Sequence, residues 1–166
     1  MSSYIPTLSA MANARRDWTS IPRKQITGLA ICEPDAPGQK QLPNVSHEVQ
    51  IVRECFGTAG AQALNPSSAH TTCAEMRSML AETAAHVLHL ASHGEQKPEP
   101  LDSAFLLHDG RFTIGDMMAV DLAHAVLAFL SACDTAKGHA AASDQAVHLA
   151  ASMLFCGFRS VIGTMW

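Results

Sequence analysis

With 166 residues, 48% of them hydrophobic, the chain is long enough to bury one core and too short for two at ordinary domain sizes. Its formal net charge is −4, from 11 Lys and Arg against 15 Asp and Glu, and the cations are scattered, which argues against contact with nucleic acid or a polybasic membrane face. No apolar run approaches the roughly 18 residues of a membrane span, and the amino terminus lacks the basic-then-apolar pattern of a secretory leader, so a cytoplasmic protein is expected.

Strand-like and helix-like segments alternate from residue 26 onward, the pattern of a mainly parallel sheet covered by helices. Ile26 to Cys32 reads as the first strand, closed by the turn-rich Glu33-Pro34-Asp35-Ala36-Pro37-Gly38. Ser46 to Phe56 has Val49, Val52 and Phe56 at helical spacing, and Gly57 is the expected stop. A short apolar run covers Ala61 to Leu64. Thr72 and Glu75 have the spacing of a capping box for a helix through about Ala84, with Met76, Met79 and Leu80 on its apolar side.

A second strand is expected over residues 86–91, and the polar, proline-bearing stretch from Glu95 to Pro100 is expected to be an exposed loop beside a cleft. Phe105 to His108 and Arg111-Phe112 flank Asp109-Gly110, a strong two-residue hairpin turn. Thr113 with Asp116 caps a short helix through Met118 and Ala119. Residues 125–132 give another buried strand. Ser143 or Asp144 starts a helix with Val147, Ala150, Ala151 and Leu154 on one side, Gly157 stops it, and Arg159 to Thr164 is a final strand. Because a parallel sheet is normally covered on both faces, the ending at Trp166 leads us to expect a truncated domain.

Two of these strands end in reactive side chains: residues 86–91 lead to His93-Gly94, and residues 125–132 lead to Cys133. Parallel strands deliver their last residues to the sheet edge where α/β ligand sites form. The separation of His93 and Cys133 suits adjacent strands, and an imidazole within reach of a thiol can take its proton to make a thiolate nucleophile. Gly94 permits close approach of a ligand and leaves its N–H free to meet a developing oxyanion. The five cysteines (32, 55, 73, 133, 156) are odd in number with no C-x-x-C pair, so neither a disulfide framework nor a zinc knuckle is indicated. All but Cys133 sit in apolar or helical settings and read as small hydrophobes.

Several ordered motifs match one family. Tyr4-Ile5-Pro6-Thr7-Leu8, residues 33–38 with Leu42-Pro43, Val87 to Gly94, Leu130-Ser131-Ala132-Cys133-Asp134-Thr135, Asp144 to Ala150 and Arg159 to Trp166 together resemble the CHAT domain, a caspase-like cysteine-peptidase group often found beside tetratricopeptide repeats. The resemblance implies an α/β fold, a caspase-like, mainly parallel, three-layer sheet flanked by helices and truncated at the C-terminus, with residues 1–25 as an opening segment and 26–166 as the incomplete domain. It implies a cysteine endopeptidase acting on a protein or peptide substrate through a Cys-His dyad. His93 is then the general base, Cys133 the nucleophile, and the Gly94 and Cys133 N–H groups the oxyanion donors, with no cofactor and no assigned third catalytic member. Tetratricopeptide-repeat segments or a partner are the expected regulators. Leu130, Ser131 and Ala132 fill the place where arginine-specific relatives carry an acidic residue before the catalytic dipeptide, so a basic P1 preference is unsupported.

Other readings stand beside these. Cys133 taken alone reads first as an inert buried thiol, which only its motif context reverses, and a catalytically silent interaction or assembly module with the same fold is the alternative function. His89, inside its strand, reads as a hydrogen-bonded core histidine. His86 and His89 point to opposite sheet faces, so a zinc site from 86, 89 and 93 is not expected. Asp134 is a weak candidate for substrate contact and equally a capping or solvated residue. A flavodoxin-like ligand binder is disfavoured because no glycine-rich phosphate loop follows the first strand.

Overall fold

The computed structural model describes residues 21–61, 63–67, 69–131 and 142–163. The strands in chain order are β1 (Thr27–Cys32), β2 (Ala63–Pro66), β3 (Val87–Ala91), β4 (Gly94–Glu95), β5 (Ala104–Leu107), β6 (Gly110–Thr113), β7 (Leu127–Ser131) and β8 (Ser160–Gly163). The helices are α1 (Val45–Ala59), α2 (Cys73–Thr83), α3 (Ile114–Met118) and α4 (Ala142–Phe155). Five strands form a parallel sheet in the order β2-β1-β3-β7-β8. β4, β5 and β6 form a small antiparallel sheet beside it.

The apolar runs of β1 and β3 are nearly continuous because both faces of these central strands are covered, whereas Ile162 of the edge strand β8 stays half exposed. Leu29, Ile31, Leu88, Leu90, Ala128 and Leu130 join Met76 and Leu80 of α2, Met153 of α4, and Phe105 and Phe112 of the small sheet. Ala30, Cys32 and Ala91 face the other way, against Val45 and Val49 of α1. The result is the expected α/β arrangement of helix, sheet and helix layers. Each fully buried Leu, Ile, Phe or Met side chain contributes on the order of 1.5–3 kcal/mol, so the first face supplies most of the hydrophobic stabilisation.

Local rules account for most of the helix ends. Thr72 Oγ1 accepts the Glu75 N–H at 3.1 Å, and Thr113 with Asp116 forms the complete reciprocal capping box. Gly57, expected to stop α1, stays helical; the left-handed residue is Gly60, at φ 69°, whose N–H bonds back to Phe56 and Gly57. The hairpin turn also lies one residue earlier than expected. Leu107 pairs with Gly110, so His108-Asp109 is the turn and Gly110 opens β6. Asp109 is drawn away from a simple turn role because its Oδ1 accepts the Cys73 N–H at 2.7 Å, fastening the hairpin to the start of α2.

The stretch from Glu95 to Pro100 divides. Glu95 belongs to β4, pairing with Ala104, and binds Arg111 at 2.5 Å and Lys97 at 2.8 Å; only residues 97–100 are the exposed loop expected from sequence. No helix among the described residues is long and apolar enough to cross a membrane.

Candidate active site

The register brings the carboxyl ends of the central strands level, with Cys32 opposite Ala91 and Ala91 opposite Ser131. His93 lies two residues past Ala91, with 2% of its surface exposed. Its backbone is held by the small sheet, where the Leu106 N–H donates to the His93 carbonyl at 2.8 Å. The ring is held separately: His93 Nε2 lies 2.6 Å from the Lys40 carbonyl oxygen. A carbonyl only accepts, so Nε2 carries the proton and Nδ1 is left as the basic atom of the neutral ring.

Lys40 sits in the connection from β1 to α1, which is itself fastened. The Leu42 N–H donates to the Pro34 carbonyl at 2.8 Å, Gln39 to Ala36 at 3.0 Å, and Ala36 is buried. The carbonyl that orients His93 is thus fixed before any substrate arrives. Sequence reasoning assigned no third member to the dyad, and no side-chain pattern could have found one, because the group is a backbone oxygen.

Gly94 is in β4 opposite Phe105. The bond from the Leu106 N–H to the His93 carbonyl makes Gly94 and Phe105 the non-hydrogen-bonded pair of that antiparallel ladder, so the ladder does not use the Gly94 N–H. Cys133 and Asp134, named from the sequence as nucleophile and weak substrate contact, lie outside the described residues, as does the motif at Tyr4 to Leu8.

Beneath this edge is a polar group that sequence reasoning missed. Ser131 Oγ donates to Glu48 Oε2 at 2.5 Å, joining the last residue of β7 to the first turn of α1. Glu48 Oε1 also faces His89 Nε2 at 3.9 Å, too far for a hydrogen bond. His89 is buried, as expected, and stacks on Phe129 with ring centroids 5.2 Å apart. The expected hydrogen bonding is absent: neither ring nitrogen has a partner among the described residues. Burial pushes the His89 imidazole below its usual range, against an opposing pull from Glu48, so the ring is neutral.

His86 is at the amino end of β3, where Nδ1 lies 2.9 Å from Thr27 Oγ1, while His93 lies beyond the carboxyl end. Among the remaining cysteines, burial raises Cys32 to about 11 and Cys156 to about 12. Cys73 is also raised to about 11, by burial first and then by Asp109. These thiols stay protonated at neutral pH and are poor nucleophiles. Cys55 has the helical setting expected of it, but its thiol is exposed rather than buried as a small hydrophobe.

The family model of the CHAT domain matches residues 1–166. A comparison with curated proteins gives no match.

Proposed function

The chain belongs to the CHAT domain family, which is related to the caspase-like cysteine peptidases, and on that premise we propose that it is a cysteine endopeptidase domain using His93 and Cys133. The observation that carries this reading is the His93 ring, whose Nε2–H is committed to the Lys40 carbonyl at 2.6 Å and whose Nδ1 is the remaining base. The paired strands supply a second support. Ala91 and Ser131 are opposite one another, and His93 and Cys133 each follow two residues later in the sequence.

In this mechanism His93 Nδ1 takes the Cys133 thiol proton, and the thiolate adds to the scissile carbonyl carbon of a protein or peptide substrate. The negative charge passes to the carbonyl oxygen, which the Gly94 and Cys133 N–H groups stabilise. The imidazolium, held by the Lys40 carbonyl, protonates the leaving amine as the C–N bond breaks. Water then attacks the thioester with His93 again as base, releasing the acid and restoring the thiol. The Lys40 carbonyl fixes the tautomer and orientation of the ring, a role a carboxylate plays in other triads. A cytoplasmic setting and control by attached tetratricopeptide repeats or a partner belong to the same proposal.

The test is cleavage of a diverse peptide library by the protein and by its Cys133→Ala and His93→Ala variants. Thiol-dependent cleavage that vanishes in both variants is expected. Cleavage that survives Cys133→Ala overturns the assignment, and an inert wild-type protein that still binds partners favours the silent assembly module.

A further inference from the structure

We propose that Glu33, His70 and His108 form a binding site for a divalent transition cation, zinc foremost, with water completing its coordination. The three come from different connections: Glu33 follows β1, His70 precedes α2, and His108 is in the β5–β6 turn. One potential ligand atom from each lies within 4.8 Å of the other two.

Glu33 is the reason to look beyond a chance cluster. It is fully buried at 0% exposure, yet its carboxylate meets no Lys or Arg among the described residues. Oε1 accepts the Asp35 N–H at 3.0 Å and faces His70 Nδ1 at 3.6 Å, while Oε2 is buried without a hydrogen-bond partner among the described residues. A desolvated carboxylate so weakly compensated is costly. A cation held between it and the imidazoles would remove that cost.

The donor set fits zinc. Two imidazole nitrogens, one carboxylate oxygen and an open position for water make a common tetrahedral arrangement. Bonds of about 2.1 Å place tetrahedral donors roughly 3.4 Å apart. The Glu33–His70 separation of 3.6 Å is already close to that, and rotation of the exposed His108 side chain would close the remainder. Their rings are neighbours, with centroids 4.9 Å apart.

The backbone beneath is fastened across all three connections. The His108 N–H donates to the Thr71 carbonyl at 2.9 Å, and the buried Thr71 hydroxyl donates to the Cys32 carbonyl at 2.6 Å. Little main-chain ordering therefore opposes binding, and the cation would cross-link the large sheet to the small one.

The experiment uses chelator-stripped, reduced protein titrated with Zn²⁺ against a chromogenic chelator, with Co²⁺ as a spectroscopic substitute and thermal unfolding as a second readout. One equivalent of zinc, a rise in melting temperature on adding it, and a tetrahedral cobalt spectrum without thiolate charge transfer are expected. Glu33→Gln, His70→Ala and His108→Ala should each weaken binding by roughly 100-fold or more, since loss of even an outer-shell partner can cost that much. His108 is in an exposed turn, so its variant decides the matter even if Glu33→Gln folds poorly. No zinc binding, binding that persists in the His70→Ala/His108→Ala double variant, or a thiolate-dominated cobalt spectrum overturns the proposal. Binding unchanged in a folded Glu33→Gln protein also overturns it, by reducing the site to a surface histidine pair.

Discussion

Replacing Glu48 with Ala removes the acceptor for Ser131 Oγ, a hydroxyl on a residue only 4% exposed. A hydrogen bond to a charged acceptor is worth about 1.5–3 kcal/mol, and the cost falls mainly on the hydroxyl left without a partner. Two smaller terms nearly cancel: Ala is the better helix former by a few tenths of a kcal/mol, whereas α1 loses a first-turn carboxylate worth about 0.3–1 kcal/mol. Glu48→Ala should therefore destabilise by about 2 kcal/mol. At about 2–4 °C per kcal/mol for a chain of this size, the melting temperature falls by about 4–8 °C. Ser131→Ala should cost less, about 1 kcal/mol, because the 30%-exposed Glu48 side chain can turn to water. The assay is urea unfolding of both single variants and the double variant. A coupling of about 1–2 kcal/mol is expected; additivity within about 0.3–0.5 kcal/mol would refute the idea that this bond joins β7 to α1.

Ala84 closes α2 in the left-handed region at φ 47°, which costs an L-residue about 1–2 kcal/mol, so Ala84→Gly should raise the unfolding midpoint in urea despite adding a glycine. His89 makes stability depend on pH. Its folded pKa is lowered by burial, so the unfolded chain binds the proton more readily; its stabilising contribution is present above the unfolded value of about 6.5 and is lost as pH falls below it. Melting temperature should fall as pH drops through and below about 6.5, and His89→Leu should flatten that slope; an unchanged slope would remove His89 as a cause. In timed iodoacetamide alkylation of the native protein, Cys55 should react well before Cys32 and Cys156, whose buried thiols are raised to about 11 and about 12. Early labelling of Cys156 would contradict its placement in the core.

The central strands were legible because burial on both faces leaves continuous apolar runs, as at residues 87–91 and 127–131. Thr72 and the Thr113-Asp116 pair were legible because a helix cap is a local event. Features set by distant partners were not. β4 is two residues long and exists through pairing with β5, and the hairpin shifts while Asp109 is fastened to α2. The helical setting of Cys55 was legible, but its exposure was not, because a helical setting alone does not settle which way a residue faces. The histidine motif named His93, but the Lys40 carbonyl that orients it has no side-chain signature, and Glu33, His70 and His108 meet only once three connections are folded together.

Activation of Cys133 by His93 is measured by treating the native protein with a peptidyl acyloxymethyl ketone and mapping the adduct by mass spectrometry. One dominant adduct on Cys133 is expected, formed faster than alkylation of the exposed Cys55 and suppressed by His93→Ala or by unfolding. Modification of Cys133 at the same rate in native, unfolded and His93→Ala protein, or modification of Cys55 alone, would contradict it.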